Sequence, residues 1–126
     1  MTRDKNSELT IQTLAMPADT NPNGDIFGGW LLAQMDLASG ILAKKISKGR
    51  IVTVAVNSMT FLRPVKVGDV VSCYAKLIKQ GRSSMDIQID VWVQNQTDHE
   101  SHQVTQGLFV CVAIDNDGKP RAIKNP

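Results

Sequence analysis

From Ile26 to Ala43 the chain reads IFGGWLLAQMDLASGILA, with Gln34, Asp36 and Ser39 as its polar interruptions. Such a run predicts a helix that starts near Ile26–Gly29 and frays after Lys45, with Gly49 closing the passage into the next element. Elsewhere the apolar period is two. Leu9–Ala15 (LTIQTLA) reads as a first strand ended by Met16-Pro17, and ADTNPNGDIFGG after it is rich in turn and capping residues. Four further strands follow the helix. Ile51–Phe61 alternates through Val52, Val54 and Val56, and Asp69–Lys79 places Val71, Cys73, Ala75 and Leu77 on one face. Ser84–Gln94 does the same with Met85, Ile87, Ile89, Val91 and Val93, and Val104–Asp115 with Leu108, Val110, Val112 and Ile114.

The connectors suit antiparallel neighbours. Arg63–Asp69 (RPVKVGD) is a turn, Lys79–Ser83 (KQGRS) is short enough for a hairpin, and Gln96–Gln103 is a looser polar loop. The expected architecture is α+β: one long helix lying across one face of an antiparallel sheet of about five strands, in a single domain over residues 1–126. A helix apolar on nearly every side has surface left over after covering one sheet. That remainder predicts a second subunit, with two-fold symmetry as the default.

Composition narrows the class. With 126 residues, 42% hydrophobic and 21% charged, the chain suits one globular core. A net charge of +2 and the lack of a dense basic stretch argue against a nucleic-acid binder. Lys44, Lys45, Lys48 and Arg50 cluster where they favour the negative end of the helix, with phosphate binding as the alternative. The polar start MTRDKNSELT carries no secretory pattern, and Gly28-Gly29, Gln34 and Asp36 fit a helix wrapped by protein better than one facing lipid. Cys73 and Cys111 lie in strand-like runs without metal spacing and need no disulfide. The expectation is a cytoplasmic protein.

Asp36 is the candidate for chemistry. An interior carboxylate is costly unless paired, hydrogen-bonded or protonated, so it serves either a structural partner or a reaction. It lies seven residues after Gly29, nearly two turns on, on a face with Leu32, Ala33, Ser39 and Gly40. So placed, it could activate water or attack a carbonyl. Gly28-Gly29 would leave helix-terminal amides open to a developing oxyanion, or simply permit a tight turn. Arg82 with its serine neighbours could hold a phosphate, or form an ordinary solvated hairpin.

The stretch MPADTNPNGDIFGGWLLAQMD (Met16–Asp36) resembles the signature of hotdog-fold acyl-CoA thioesterases of the YciA type. The similarity continues through VTVAVNSMTFLRPVKVGDVVSCYAKL (Val52–Leu77), GRSS (Gly81–Ser84) and DIQIDVWVQ (Asp86–Gln94). The resemblance implies a hotdog fold and hydrolysis of acyl-CoA to free acid and coenzyme A, within fatty acid metabolism. It implies Asp36 as the catalytic acid, Asn21 at the active site, and the Gly29 amide as the group that polarises the thioester carbonyl. Gly81, Arg82, Ser83 and Ser84 match a turn associated with the nucleotide end of coenzyme A. Family members form dimers with active sites at the subunit boundary, often assembled as trimers of dimers, that is, homohexamers. No cofactor or metal is implied, since coenzyme A is part of the substrate. Two departures stand out: Asn57 replaces a more usual acidic residue, and the chain stops at Pro126 where relatives often continue with a helical tail.

Other residues carry less. His99 and His102 sit in a polar loop suited to solvated histidines, and Trp30 and Met35 suit core or interface packing. Asp25 reads as a capping acid, and Asp115–Gly118 as a turn lacking the downstream acid of a calcium loop. The alternatives to a hydrolase are an acyl-thioester hydratase or dehydratase on the same fold, which would want a histidine near the helix, and a non-catalytic acyl-CoA sensor.

Overall fold

The computed structural model describes residues 3–95, 97 and 100–123. Three positions of the looser loop, Gln96, Asp98 and His99, lie outside them, as does Pro126. The elements are β1 (Glu8–Leu14), a short 3-10 turn (Pro17–Asp19), α1 (Gly28–Ser47), β2 (Ile51–Phe61), β3 (Val70–Gln80), β4 (Ser84–Gln94) and β5 (Ser101–Ala113). The strands form one sheet in the order β1-β3-β4-β5-β2, antiparallel throughout, and α1 touches every strand from one side. The order leaves β1 and β2 as the two edges.

Helical spacing decides what α1 buries. Leu31, Met35, Ala38, Ser39, Leu42, Ala43 and Ser47 recur every three to four residues and press onto the sheet. They meet Val71, Cys73 and Ala75 of β3 and Met85, Ile87, Ile89 and Val91 of β4, all essentially inaccessible. Each large side chain so buried contributes about 1.5–3 kcal/mol, which makes this one seam the main stabilising element. Leu32, Leu37 and Ile41, on the flank of α1, stay 39%, 59% and 47% exposed.

On β5 the expected core face is the wrong one. Phe109, Cys111 and Ala113 point at the helix and are fully buried, whereas Leu108, Val110 and Val112 sit half-buried on the outer side. Both faces of this strand are apolar, so alternation alone does not fix its phase. The register does, through Ile87↔Phe109 and Met85↔Cys111. Gly107 belongs to the inner row, and a Cβ there would meet Met59 Sδ at 3.0 Å and Met35 Cε at 3.3 Å.

The Val52, Val54, Val56 alternation in β2 is broken as well. Thr53 pairs with Cys111 but Ala55 pairs with Val110, so Val54 is an extra residue in the edge strand. The bulge leaves both Thr53 and Val56 on the helix side, opposite Cys111 and Phe109, with Val54 unpaired between them. A second irregularity separates Asn57↔Leu108 from Thr60↔Gln106, with Ser58 in the left-handed region at φ 56°.

The helix ends differ from expectation too. Lys48, not Gly49, takes the left-handed closing conformation (φ 57°), its amide donating to Lys44 O at 2.7 Å. Gly49 leaves room for another group: the Arg121 guanidinium occupies the place of its missing side chain. Arg121 closes this end, donating from Nη1 to Ser47 O at 3.1 Å and from Nε to Ile114 O at 2.9 Å. Among the described residues no helix is long and apolar enough to cross a membrane.

Candidate active site

A groove runs between the exposed flank of α1 and edge strand β2. One end, of about 390 Å³, is lined by Gly29, Leu32, Ala33, Val56 and Phe109; the other, of about 570 Å³, by Leu37, Gly40, Ile41, Lys44, Ile51 and Val52. Asp36 and Thr53 line both. Asp36 is therefore not interior: within one chain its side chain is exposed, flanked by uncovered apolar residues. The helical period explains this, because Met35 and Ser39 take the buried stripe and Asp36 turns toward β2. Its carboxylate accepts a hydrogen bond at Oδ1 from Thr53 Oγ1 at 2.7 Å, and its second oxygen has no partner among the described residues.

The start of α1 carries no side-chain cap. Phe27 occupies the cap position, and the Gly29 amide has no hydrogen-bond acceptor among the described residues. An open N–H at the positive end of a helix is suited to an oxyanion. The expected capping role of Asp25 is not seen: its carboxylate pairs with Lys66 in the β2–β3 turn. Asn21 shapes the preceding loop, its Oδ1 accepting from the amides of Asn23 at 2.9 Å and Asp25 at 3.2 Å. It opens onto a different hollow, shared with Gly28, Leu31, Phe61 and Arg63. One chain thus brings Gly29 and Asp36 to one groove and leaves Asn21 beside it.

Gly81, Arg82, Ser83 and Ser84 form the β3–β4 hairpin. The Gly81 amide donates to Ser84 O at 2.9 Å, and a Cβ on Gly81 would sit 2.7 Å from Ser84 Oγ, so a side chain there would make that hydroxyl turn away. Backbone bonds tie it down: the Ala113 amide donates to Ser83 O and the Ile123 amide to Arg82 O, both at 2.8 Å. The Arg82 side chain is exposed. The cross-strand row Thr53, Cys111, Met85, Gln80 places this hairpin at the same end of the sheet as the Asp36 contact. It lines neither part of the groove.

Thr53 was hidden in the sequence. The alternation through Val52, Val54 and Val56 assigns it to the opposite face, and its pairing with the buried Cys111 is what shows that it turns inward. A hydroxyl residue in an otherwise apolar strand start was the available signal. Of the histidines, His102 sits on β5 with Nδ1 3.0 Å from Arg63 Nη1, away from the groove. Met35 is core, and Trp30 packs against it. Asp115 Oδ1 accepts from the amides of Asp117 and Lys119, both at 2.9 Å, as a turn requires. Both cysteines are free and buried; desolvation pushes Cys73 up to about 12 and raises Cys111. Among the described residues no three His, Cys, Asp or Glu side chains group to hold a metal.

A single helix laid over a five-stranded antiparallel sheet, with an acid and an open helix terminus at its uncovered flank, defines a hotdog-fold thioesterase. Residues 23–99 match the family model of the thioesterase superfamily, and the chain belongs to that family. It is 57% identical over 119 residues to the acyl-CoA thioester hydrolase YciA of Salmonella typhimurium, covering 92% of this chain and 90% of that protein. The hexameric thioesterase from Yersinia pestis superposes with a TM-score of 0.92 at 55% identity, covering 96% of this chain and 98% of that one. The hexameric hotdog fold thioesterase of Campylobacter jejuni gives 0.91 at 38% identity, covering 96% and 93%.

Proposed function

We propose that the groove between α1 and β2 is where this acyl-CoA thioester hydrolase cleaves its substrate to a free carboxylic acid and coenzyme A. The observation that carries the assignment is that the uncapped Gly29 amide and the Asp36 carboxylate both open onto this one uncovered flank of α1, where a second subunit would bring its own pair alongside. The thioester carbonyl oxygen points at the Gly29 amide, which stabilises the negative charge of the tetrahedral intermediate. Asp36 activates water, or attacks the carbonyl itself. The new C–O bond forms, the C–S bond breaks, and the thiolate leaves with the electron pair. Asn21 orients the water or the carbonyl. Arg82 and its turn neighbours Gly81, Ser83 and Ser84 receive the phosphates of coenzyme A. The scheme uses protein groups and water alone.

The protein acts as a homo-oligomer in this reading. The uncovered Leu32, Leu37 and Ile41 beside β2 supply the apolar contact. The hexamers formed by similar thioesterases favour a trimer of dimers, and a site built across the two-fold boundary brings Asn21 and Asp36 of different subunits together. Two buried free thiols suit the cytoplasm. A hydratase is disfavoured by the histidine on β5, which lies outside the groove. Free-thiol release from short, medium and long acyl-CoAs tests the reading. Asp36→Asn should lower kcat at least about 100-fold with fold and coenzyme A binding intact. An active variant would move the catalytic centre elsewhere, and binding without turnover by the unaltered protein would make it a sensor.

A further inference from the structure

We infer that Phe61 sets the length of the acyl chain this enzyme accepts, an assignment that rests on the Gly29 amide holding the thioester carbonyl. Gly28 and Gly29 lie about 100° apart around the helix axis and face different spaces. Gly29 opens onto the groove, whereas Gly28 opens onto the hollow of about 360 Å³ that Asn21 also lines. A trigonal carbonyl sends its sulfur and its alkyl chain to opposite sides. The long, polar coenzyme A arm suits the open groove, and the apolar arm suits the hollow. Ile26, Leu31 and Val65 form its floor, and all three belong to the buried core. Phe61 and Leu62 beside them are 53% and 46% exposed, apolar surface for which a single chain has no cover.

The Phe61 ring stands at the entrance. A Cβ on Gly28 would meet its Cζ at 3.2 Å and its Cε1 at 3.4 Å. The ring tip therefore rests on bare backbone, beside the peptide unit that carries the Gly29 N–H. An alkyl chain leaving the carbonyl meets this ring at Gly28 before it reaches Leu31, nearly a turn further on. The backbone behind the ring is pinned. Phe61 pairs with Thr105, whose hydroxyl donates to Thr60 O, and the Leu62 and Arg63 amides donate to Val104 O at 2.7 and 3.2 Å. The walls are tied as well, the Ile26 amide donating to Val65 O at 2.9 Å. Charged groups at the rim are engaged with protein: Asp25 pairs with Lys66, and Arg63 Nη1 lies 3.0 Å from His102 Nδ1. The interior left for a ligand is apolar, and the size of one side chain decides its depth.

Turnover of a series of acyl-CoAs from acetyl to palmitoyl is the test. Phe61→Ala should move the favoured substrate to longer chains. Each added methylene that finds a place should raise kcat/KM about fourfold over the next shorter ester. Phe61→Trp should move the preference to shorter chains. Binding of free coenzyme A, which has no acyl arm, should be unchanged in both, a readout that a generally disturbed site would move. Phe61→Leu replaces the alanine variant should that protein fold poorly, and thermal melts and oligomer size are recorded for each. A chain-length profile of the same shape in the small and the large variant overturns the assignment. So does an altered oligomer with that unchanged profile, which would make the hollow a subunit contact. An active Asp36→Asn protein strikes the proposed centre itself, whereas an inactive one beside a flat Phe61 series strikes the role of Phe61 alone.

Discussion

Gly29 and Asp36 face one groove from the same side of α1, yet seven residues set their backbones about 10 Å apart along the axis. A carbonyl gripped by an amide at about 3 Å and attacked directly from about 3–3.5 Å spans about 7–8 Å between the two groups, which the Asp36 side chain of the same helix only just reaches. Our scheme sets the site across the subunit boundary, with the pair that acts on one carbonyl drawn from two chains. Subunit mixing checks this. Gly29→Pro deletes the amide, and proline is tolerated in a first helical turn. Alone, it and Asp36→Asn should each be crippled. Hybrid dimers of the two would hold one site with both native groups, so mixing should restore up to about half the native activity per hybrid. No recovery in verified hybrids would place both groups in one chain.

Arg82 is exposed, in a hairpin whose shape is held by backbone bonds rather than by its own side chain. Removing it should leave the fold alone. Arg82→Ala should raise KM for acyl-CoA about 10-fold or more, the loss of a charge-assisted contact, with kcat within twofold. The same acyl group on pantetheine, which lacks the nucleotide, should show no difference between variant and wild type. Equal effects on both substrates would remove the hairpin from nucleotide recognition.

The buried thiols set an alkaline limit. Burial holds the Cys73 proton up to about 12, against an ordinary 9.0, and raises Cys111 in the same direction. Above pH 9 the unfolded chain releases protons that the folded chain retains. Stability therefore falls as pH rises from about 9 toward 12, by at most about 1.4 kcal/mol per pH unit from Cys73, and Cys111 acts in the same direction. Urea melts at pH 8 and 10.5 should show the drop, and Cys73→Ala should flatten it. A flat profile in the wild type would count against the desolvated thiol.

Element order, helix and sheet were legible because their signals are long and redundant. β4 was read correctly, phase included, since only one of its faces is apolar. β5 was not, because valines and leucine on its outer row compete with Phe109 and Cys111 on the inner one, and only pairing with β4 decides. Asp36 stood out by its charge in an apolar run, although its reason for being there is an uncovered flank rather than a buried socket. Thr53 was missed because valines fill the alternate row, and only the pairing with Cys111 shows that Thr53 faces the helix; the inserted Val54 then brings Val56 to that same face. Such an insertion leaves no mark in composition or periodicity.

The irregular backbone of β2 has a consequence for the cell as well as for the groove. This edge presents free ladder groups beside exposed valines, a combination that invites endless growth by stacking. Two interruptions, at Val54 and around Ser58, cut it into lengths of about three residues, each offset from the next. An edge so interrupted is a poor template for a stray β-strand. The flaw in the ladder thus doubles as a lock against fibrils, and substitutions that smoothed it would trade a discrete assembly for aggregation.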